Sequence, residues 1–147
     1  MEYIRKATAG DLARIAEIHV FNYRLYFFPI FRSDEYYFRE LQVPALMKQY
    51  EEKIGSLYVF DDGAVKGFIA VEDTYIARLF VEPVLHNEGI GSALLDHAVR
   101  ELGADHLWAL EKNTAAIRFY QRHGFLPTGD RKPEDGTDEY LIMLRRA

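Results

Sequence analysis

The sequence predicts a single mixed α/β domain, and three observations support that class. The chain has 147 residues, enough for one domain with a real core, and 49% of them are hydrophobic. Short apolar runs typical of strands alternate with segments of helical periodicity. In residues 75–102 a strand leads through a glycine turn directly into a helix. No internal repeat, linker or second domain is visible, so residues 1–147 are expected to form one unit.

Composition argues against several classes of function. The chain has no cysteine, which excludes disulfides, thiolate metal ligands and a cysteine nucleophile. Its five histidines have no zinc-type spacing, so no metal is expected. A net charge of −5 argues against nucleic acid, because phosphate contacts need clustered Lys and Arg. No membrane span or signal-peptide core is evident, so we expect a cytoplasmic protein with no membrane partner.

The first elements are predicted to be an edge strand and a helix. Residues 3–6 alternate in polarity as an edge strand does. Thr8 and Asp11 have the spacing of a capping box and precede apolar residues at helical intervals. A first helix is therefore expected over about residues 9–22.

An aromatic segment follows in residues 21–38. We expect Pro29 to break it and Ser33 to cap a second helix that continues to about Lys53. Aromatic rings offer large contact area and can hold a cation against the ring face. Core packing and a dimer surface remain alternative uses of these rings. The residues of this segment that are candidates for lining an acceptor pocket are Tyr23, Tyr26, Phe27, Phe28 and Phe31.

Two turns organise the middle of the chain. Asp61–Asp62–Gly63 is a hairpin signal between strands expected at 56–61 and 64–72. A second turn at 73–74 leads to the strand that ends near Val81. This part of the sequence therefore predicts an antiparallel meander.

The last elements are predicted from caps and apolar runs. Gly103 ends the helix that follows the glycine turn, and residues 106–110 read as a buried strand parallel to the one before that helix. Asn113 and Gly124 have the residue types that begin and end a further helix. Residues 127–139 are expected to form a polar loop before a final strand at 140–145.

The glycine turn suits an anion. Amides at the start of a helix lack partners within it, and glycines at Gly89 and Gly91 leave room for a phosphate to approach. Read alone, the two glycines equally suit a turn with nothing bound. A dinucleotide-binding motif fits less well, because Leu94 occupies the third glycine position and seven residues separate Val81 from Gly89. A P-loop and a Gly-x-Ser-x-Gly elbow are absent from the sequence.

The segments LFVEPVLHNEGIGSALL (79–95) and NTAAIRFYQRHGF (113–125) together resemble the GCN5-related N-acetyltransferases, the GNAT superfamily. The likeness is detailed over the last half of the chain, and the order of elements agrees throughout. It implies a twisted, largely antiparallel sheet with one parallel strand pair and helices on both faces. It also implies acetyl transfer from acetyl-CoA to an amine.

The resemblance implies where acetyl-CoA binds. The turn from His86 to Gly91 would hold the diphosphate through backbone N–H groups, with His86 where arginine or glutamine is usual. The strand near Leu79–Val81 would pair with the pantetheine arm where two parallel strands separate. The implied cofactor-binding residues are Leu79, Phe80, Val81, His86, Asn87, Glu88, Gly89, Ile90, Gly91, Ser92, Asn113 and Tyr120.

The catalytic residues are also implied by the resemblance. Tyr120 matches the tyrosine near the thioester sulfur and would protonate the leaving thiolate, although its spacing alone suits a core aromatic. Tyr75 stands where some members carry a glutamate base, and tyrosine is a poor base at neutral pH. We name Glu72 as the base, with Glu111 and then Glu82 as alternatives.

The sequence thus predicts acetyl transfer to the primary amine of a small molecule or peptide, by direct attack in a ternary complex. Two other classes remain open. One is a CoA-binding module or sensor without turnover, which the missing base and His86 favour. The other is a nucleotide-binding redox domain, which only the glycines support. The chain is expected to be a monomer or homodimer.

Overall fold

The computed structural model describes residues 3–147 and contains one seven-stranded mixed sheet in the order β1-β2-β3-β4-β5-β7-β6. Neighbouring strands are antiparallel except β4 and β5, which are parallel. The predicted fold class is therefore confirmed. The strands are β1 Ile4–Lys6, β2 Leu57–Asp61, β3 Val65–Glu72, β4 Tyr75–Val81, β5 His106–Leu110, β6 Phe125–Pro133 and β7 Tyr140–Arg146.

Helices cover both faces of this sheet. One apolar core lies between the sheet and α4 and α5, and a second lies under α1 and α3. Among residues 3–147 no helix has the length and apolar character needed to cross a bilayer. The helices are α1 Leu12–Asn22, α2 Phe28–Phe31, α3 Val43–Glu51, α4 Ile90–Leu102 and α5 Thr114–Arg122.

The start of the first helix agrees with the capping box. A 3₁₀ turn at Ala9–Asp11 leads into α1, and the Asp11 carboxylate accepts from the Thr8 backbone N–H at 2.8 Å. Arg5 donates to the same carboxylate at 2.7 Å. That ion pair is the largest cause that lowers the pKa of Asp11 to about 2.

The aromatic segment differs from the sequence prediction at Pro29. The chain stays helical through a π-helical turn at Tyr23–Phe27 and then α2, and it leaves the helix at Arg32, where φ is +58°. Pro29 lies in the first turn of α2, where a missing N–H is tolerated. The expectation that Pro29 breaks the segment was wrong.

The second predicted helix is divided. Ser33 does cap a helical turn, since its Oγ accepts from Tyr36 N at 3.2 Å. That π-helical turn ends at Glu40, and α3 begins separately after an extended Gln42. Pro44 lies in the first turn of α3, a position that suits proline, whereas the interior of one long helix would not.

The polar segment 127–139 is mostly strand. β6 continues to Pro133 and pairs with β7 on either side of an irregularity between Pro127 and Arg131, so the loop is only 134–139. β6 is an edge strand at one side of the sheet, where polar residues on both faces are compatible with pairing along one side. The predicted loop was therefore too long.

Candidate active site

The two parallel strands separate just where the resemblance implies. β4 pairs with β3 over its length but with β5 only at Tyr75 and His106. Glu82 N donates to Lys66 O at 2.9 Å, and neighbouring residues of an antiparallel strand alternate in the direction of their backbone groups. The N–H and C=O groups of Leu79 and Val81 therefore face the gap between β4 and β5.

The carbonyl of Val81 is already bonded. It accepts from Asn22 Nδ2 at 2.9 Å, and His86 Nε2 lies 3.0 Å away. Asn22 is only 2% exposed and also donates to Ile18 O at 2.8 Å. This leaves the N–H groups of Leu79 and Val81, and the Leu79 carbonyl, for a ligand in the gap. Sequence reasoning missed Asn22, because nothing local marks its contact with a residue 59 positions away.

The glycine turn forms an open cradle at the start of α4. Gly89 is the N-cap with φ +85°, and Asn87 also has positive φ, at +69°. The first helical bond runs from Ala93 N to Gly89 O, so the amides of residues 90–92 have no partner within the helix. A Cβ on Gly91 would lie 3.5 Å from the Phe119 ring. The backbone thus has the form that holds a diphosphate at a helix N-terminus.

The side chains of the turn are placed in different ways. Asn87, Glu88 and Gly89 are exposed, whereas Ile90 is 7% exposed and packs into the core. Ser92 Oγ lies 3.0 Å from His123 Nε2, which links α4 to α5. The groups of this turn that are arranged for an anion are therefore its backbone amides.

His86 links the turn to the end of β4 and to Tyr26. A carbonyl oxygen only accepts, so His86 Nε2 donates to Val81 O, and in the neutral ring Nδ1 accepts from the Tyr26 hydroxyl at 3.1 Å. The two rings stack with centroids 5.4 Å apart. Tyr26, a predicted acceptor-pocket residue, lies here and not on the wall of the large cavity.

One large cavity, of about 690 Å³, lies in the gap between β4 and β5. It is lined by residues 75–80 of β4, which include Leu79 and Phe80, and by Asn113 and Tyr120. One wall of the cavity, here called the aromatic wall, comes from the segment that follows α1. It includes three of the predicted acceptor-pocket residues, Tyr23, Phe27 and Phe31. Its other residues are Ser33, Tyr36 and Tyr37.

Phe28 does not line this cavity. Its ring packs edge-on against Tyr37 and Phe38, with centroids 5.8 Å and 5.3 Å away. It therefore supports the aromatic wall from behind.

Asn113 and Tyr120 both lie on the cavity wall. Asn113 caps α5, since its Oδ1 accepts from Ala116 N at 3.4 Å, and its amide NH₂ remains available as a donor. Tyr120 is 8% exposed. Burial raises the pKa of its phenol well above the usual value, and Tyr75 adds to the shift. The phenol is therefore protonated at neutral pH and can donate a hydrogen bond.

The carboxylates considered as bases lie outside the large cavity. Glu72 is 3.4 Å from Lys53 Nζ. Glu82 is 3.1 Å from an Arg14 nitrogen. Arg131 binds Glu111 through two nitrogens, at 3.0 and 3.1 Å. Glu72 lines a second cavity of about 230 Å³ that shares Tyr75, Ala77 and Arg78 with the first.

Three charged residues of the large cavity were missed by sequence reasoning. Arg78 reaches it from β4, and Glu134 and Asp135 reach it from the β6–β7 loop. Burial raises the pKa of Tyr75, and the charges of Glu72 and Glu134 add to this while Arg78 opposes it. Tyr75 therefore stays protonated at neutral pH, in agreement with the expectation that it is a poor base.

Comparison with known proteins identifies the family. The family model described as the acetyltransferase (GNAT) domain matches residues 53–127, about half of the chain and the part that includes β2–β5, the cradle and α5. The chain belongs to the GNAT family of acetyltransferases.

Relatives in that family include lysine acetyltransferases. The chain is 28% identical over 123 residues to the peptidyl-lysine N-acetyltransferase YiaC of Escherichia coli, covering 83% of this chain and 82% of that protein. It is 31% identical over 85 residues to the peptidyl-lysine N-acetyltransferase YjaB of Salmonella typhimurium. The latter match spans 58% of this chain and 59% of the relative's length.

Solved structures agree with the fold. Apo-form YjaB from Escherichia coli superposes with a TM-score of 0.77 at 21% identity, covering 98% of this chain and 96% of that one. The PaiA N-acetyltransferase of Thermoplasma acidophilum, solved in complex with coenzyme A, superposes with a TM-score of 0.75 at 21% identity. That match covers 97% of both chains.

Proposed function

We propose that this protein transfers the acetyl group of acetyl-CoA to a primary amine by direct attack in a ternary complex. The observation that carries the proposal is the unpaired edge of β4. The free N–H groups of Leu79 and Val81 face the gap between β4 and β5, Gly91 of the cradle adjoins Val81, and Tyr120 lines the cavity in that gap. Such an edge suits an extended amide-containing arm, because a strand without a partner offers regularly spaced donors and acceptors.

The donor would be held mainly by backbone groups. Acetyl-CoA supplies the acetyl group as a thioester. The free amides of residues 90–92 suit its diphosphate, and Asn113 suits an amide of the arm through its NH₂ group. An N–H group of Leu79 or Val81 would stabilise the negative charge that develops on the carbonyl oxygen during attack.

Tyr120 would act as the general acid. Its phenol is protonated and is placed on the cavity wall beside the strand edge. A free thiol has a pKa of roughly 8.5, but burial beside Tyr120 would destabilise a thiolate as it destabilises a phenolate. The raised pKa of Tyr120 is thus compatible with donation to the leaving sulfur as charge develops on it.

The base remains a prediction. An acceptor ammonium with a pKa of about 10.4 must lose a proton before attack. Glu72, the base named from the sequence, borders the second cavity and would act through water. Glu134 borders the large cavity itself and is the more direct alternative.

The acceptor we favour is a lysine-type amine. YiaC and YjaB are named peptidyl-lysine acetyltransferases. The aromatic wall suits an aliphatic stem that carries a cation, because rings bury methylene groups and attract an ammonium. A cytoplasmic location and a monomeric or homodimeric state also remain predictions.

Thiol release from acetyl-CoA over a panel of primary amines tests the proposal. We expect turnover with at least one lysine-type acceptor and a stable complex with CoA by native mass spectrometry. CoA binding without turnover for any amine would favour the sensor class instead. Binding of NAD and not CoA would favour the redox class.

A further inference from the structure

Arg78 is a cation without a carboxylate partner. Among residues 3–147 no Asp or Glu oxygen lies within 4.0 Å of its guanidinium. Nη1 donates to the Ala77 carbonyl at 3.0 Å, and the guanidinium also donates to the Tyr50 hydroxyl. Arg78 is exposed and lines both cavities, so most of its five N–H donors are free for a ligand.

A β-bulge directs Arg78 towards α3 and the π-helical turn that follows α1. Ala70 pairs with Arg78 and Val71 pairs with Ile76, so Ala77 is the extra residue of β4. Bulges change the direction of neighbouring side chains, and Arg78 here lies among the phenols of Tyr23 and Tyr50.

Arg78 lies too far from the cradle to bind the cofactor diphosphate. The cradle adjoins the end of β4, where Gly91 lies against Val81. Arg78 precedes Val81 by three residues, which is about 10 Å along a strand. The guanidinium therefore belongs to the acceptor side of the cavity.

Glu134 supplies a charge of opposite sign on the same cavity. Burial is the main cause that raises the pKa of Tyr23 and of Tyr36. The charge of Arg78 lowers both pKa values, and the charge of Glu134 raises both. The phenols of Tyr23 and Tyr36 are thus close enough to both charges to be affected by each, and all four residues line the same cavity. Arg78 and Glu134 are nevertheless more than 4.0 Å apart, since they form no ion pair.

We propose that the acceptor is an amino carboxylate, whose ammonium group binds Glu134 and whose carboxylate binds Arg78. This inference rests on the proposed function, because it treats the aromatic cavity as the acceptor site. A guanidinium matches a carboxylate with two parallel hydrogen bonds, which favours this anion over a neutral group. The carboxylate belongs either to a free amino acid or to an acidic residue beside a lysine in a peptide.

The second cavity supports the position of the carboxylate. It is bordered by Arg78 and His19, and at about 230 Å³ it suits a single small group. His19 is 3% exposed, its Nδ1 lies 2.6 Å from the Tyr50 hydroxyl, and its Nε2 has no partner in residues 3–147. Burial, with a smaller effect of Arg78, lowers the pKa of His19 to about 3, so the ring is neutral and can donate.

Calorimetry on the CoA-loaded protein tests the inference. One probe pair is 5-aminovalerate and its carboxamide, and the other is a capped peptide with lysine beside glutamate and the same peptide with glutamine. We expect the carboxylate member of at least one pair to bind about tenfold more tightly or better. In Arg78→Gln that preference should disappear, while Glu134→Gln should weaken both members of the pair.

Arg100→Gln is the matched control. Arg100 lies on α4 with its side chain 70% exposed, and the substitution should leave the preference unchanged. The pair that shows the preference distinguishes a free amino acid from a peptide. Equal binding of both members in the unmodified protein, or a preference that survives in Arg78→Gln, would overturn the inference. Preference without thiol release from any acceptor would support the ligand class and contradict the proposed function.

Discussion

The proposed donor side and the proposed acceptor side of the cavity are built in different ways. The donor side uses backbone groups from one continuous stretch, namely the edge of β4 and the cradle at the start of α4. The acceptor side uses side chains from α1, the helical turns after it, β4 and the β6–β7 loop. Backbone sites depend on chain conformation, which glycines and caps specify locally, whereas side-chain sites depend on tertiary packing. The donor side can therefore be predicted from the sequence, whereas the acceptor side cannot.

The largest expected effect concerns the point where the two sides meet. Tyr120→Phe removes the phenolic proton but keeps the buried ring, so kcat should fall about a hundredfold. Steady-state kinetics with a good acceptor and calorimetry with CoA measure the two sides separately. CoA affinity should be unchanged.

Tyr3→Phe is the control for this change, since Tyr3 is 48% exposed and lies outside the cavity. A kcat for Tyr120→Phe within tenfold of the unmodified protein would remove Tyr120 from the mechanism.

The next effect concerns the buried histidine of the acceptor side. His19 has a pKa of about 3 in the folded protein, against 6.5 when it is unperturbed. The unfolded chain therefore binds a proton that the folded chain does not, and stability is lost as pH falls from 6.5 towards 3. Between pH 7 and pH 5 this residue should cost about 2 kcal/mol of unfolding free energy.

Urea unfolding at both pH values, on the unmodified protein and His19→Gln, measures that cost. The unmodified protein should lose about 2 kcal/mol more than the variant over this interval. The Asp11 pair does not interfere, because its pKa is lowered from 3.8 to about 2, so the stability it contributes is lost only as pH falls from 3.8 towards 2. Equal losses in the two proteins would mean that His19 is not held neutral by the fold.

A smaller effect separates the cradle from ordinary helix capping. Gly89 and Gly103 flank α4, with φ of +85° and +69°. Alanine at either position should cost about 1 kcal/mol of stability, because a Cβ is strained in the left-handed region. Gly89→Ala alone should also weaken CoA binding, by about fivefold.

Thermal unfolding and calorimetry with CoA on both variants give this comparison. If Gly103→Ala weakened CoA binding as much as Gly89→Ala, the loss would reflect helix stability and not the cradle.

The smallest effect concerns His86. His86→Gln keeps a side-chain donor within reach of the Val81 carbonyl and leaves the backbone cradle intact. CoA affinity measured by calorimetry should therefore change by about twofold at most. A loss of tenfold or more would show that the imidazole itself contacts the cofactor.

What the sequence predicts correctly is what neighbouring residues determine. The hairpin at residues 61–63, the strand leading to α4 and the end of α4 at Gly103 all follow from local turn and cap chemistry. Pro29 was misjudged because the chain stays helical through the π-helical turn before it, which places Pro29 in the first turn of α2, where proline is tolerated.

The rest depends on contacts between distant residues. The bond from Asn22 to the Val81 carbonyl joins residues 59 positions apart. Arg78 enters the cavity through a bulge defined by its pairing with β3, and Glu134 enters it because β6 runs further than its polar composition indicates. No local pattern marks these residues, since each acquires its place only when the sheet forms.

The most direct test of the central claim is a crystal structure of the protein with acetyl-CoA bound. We predict that the diphosphate contacts the amides of residues 90–92, that the arm pairs with the backbone of Leu79 and Val81, and that the sulfur lies within hydrogen-bond distance of the Tyr120 hydroxyl. A diphosphate bound elsewhere, or an arm that leaves the edge of β4 unpaired, would contradict the account.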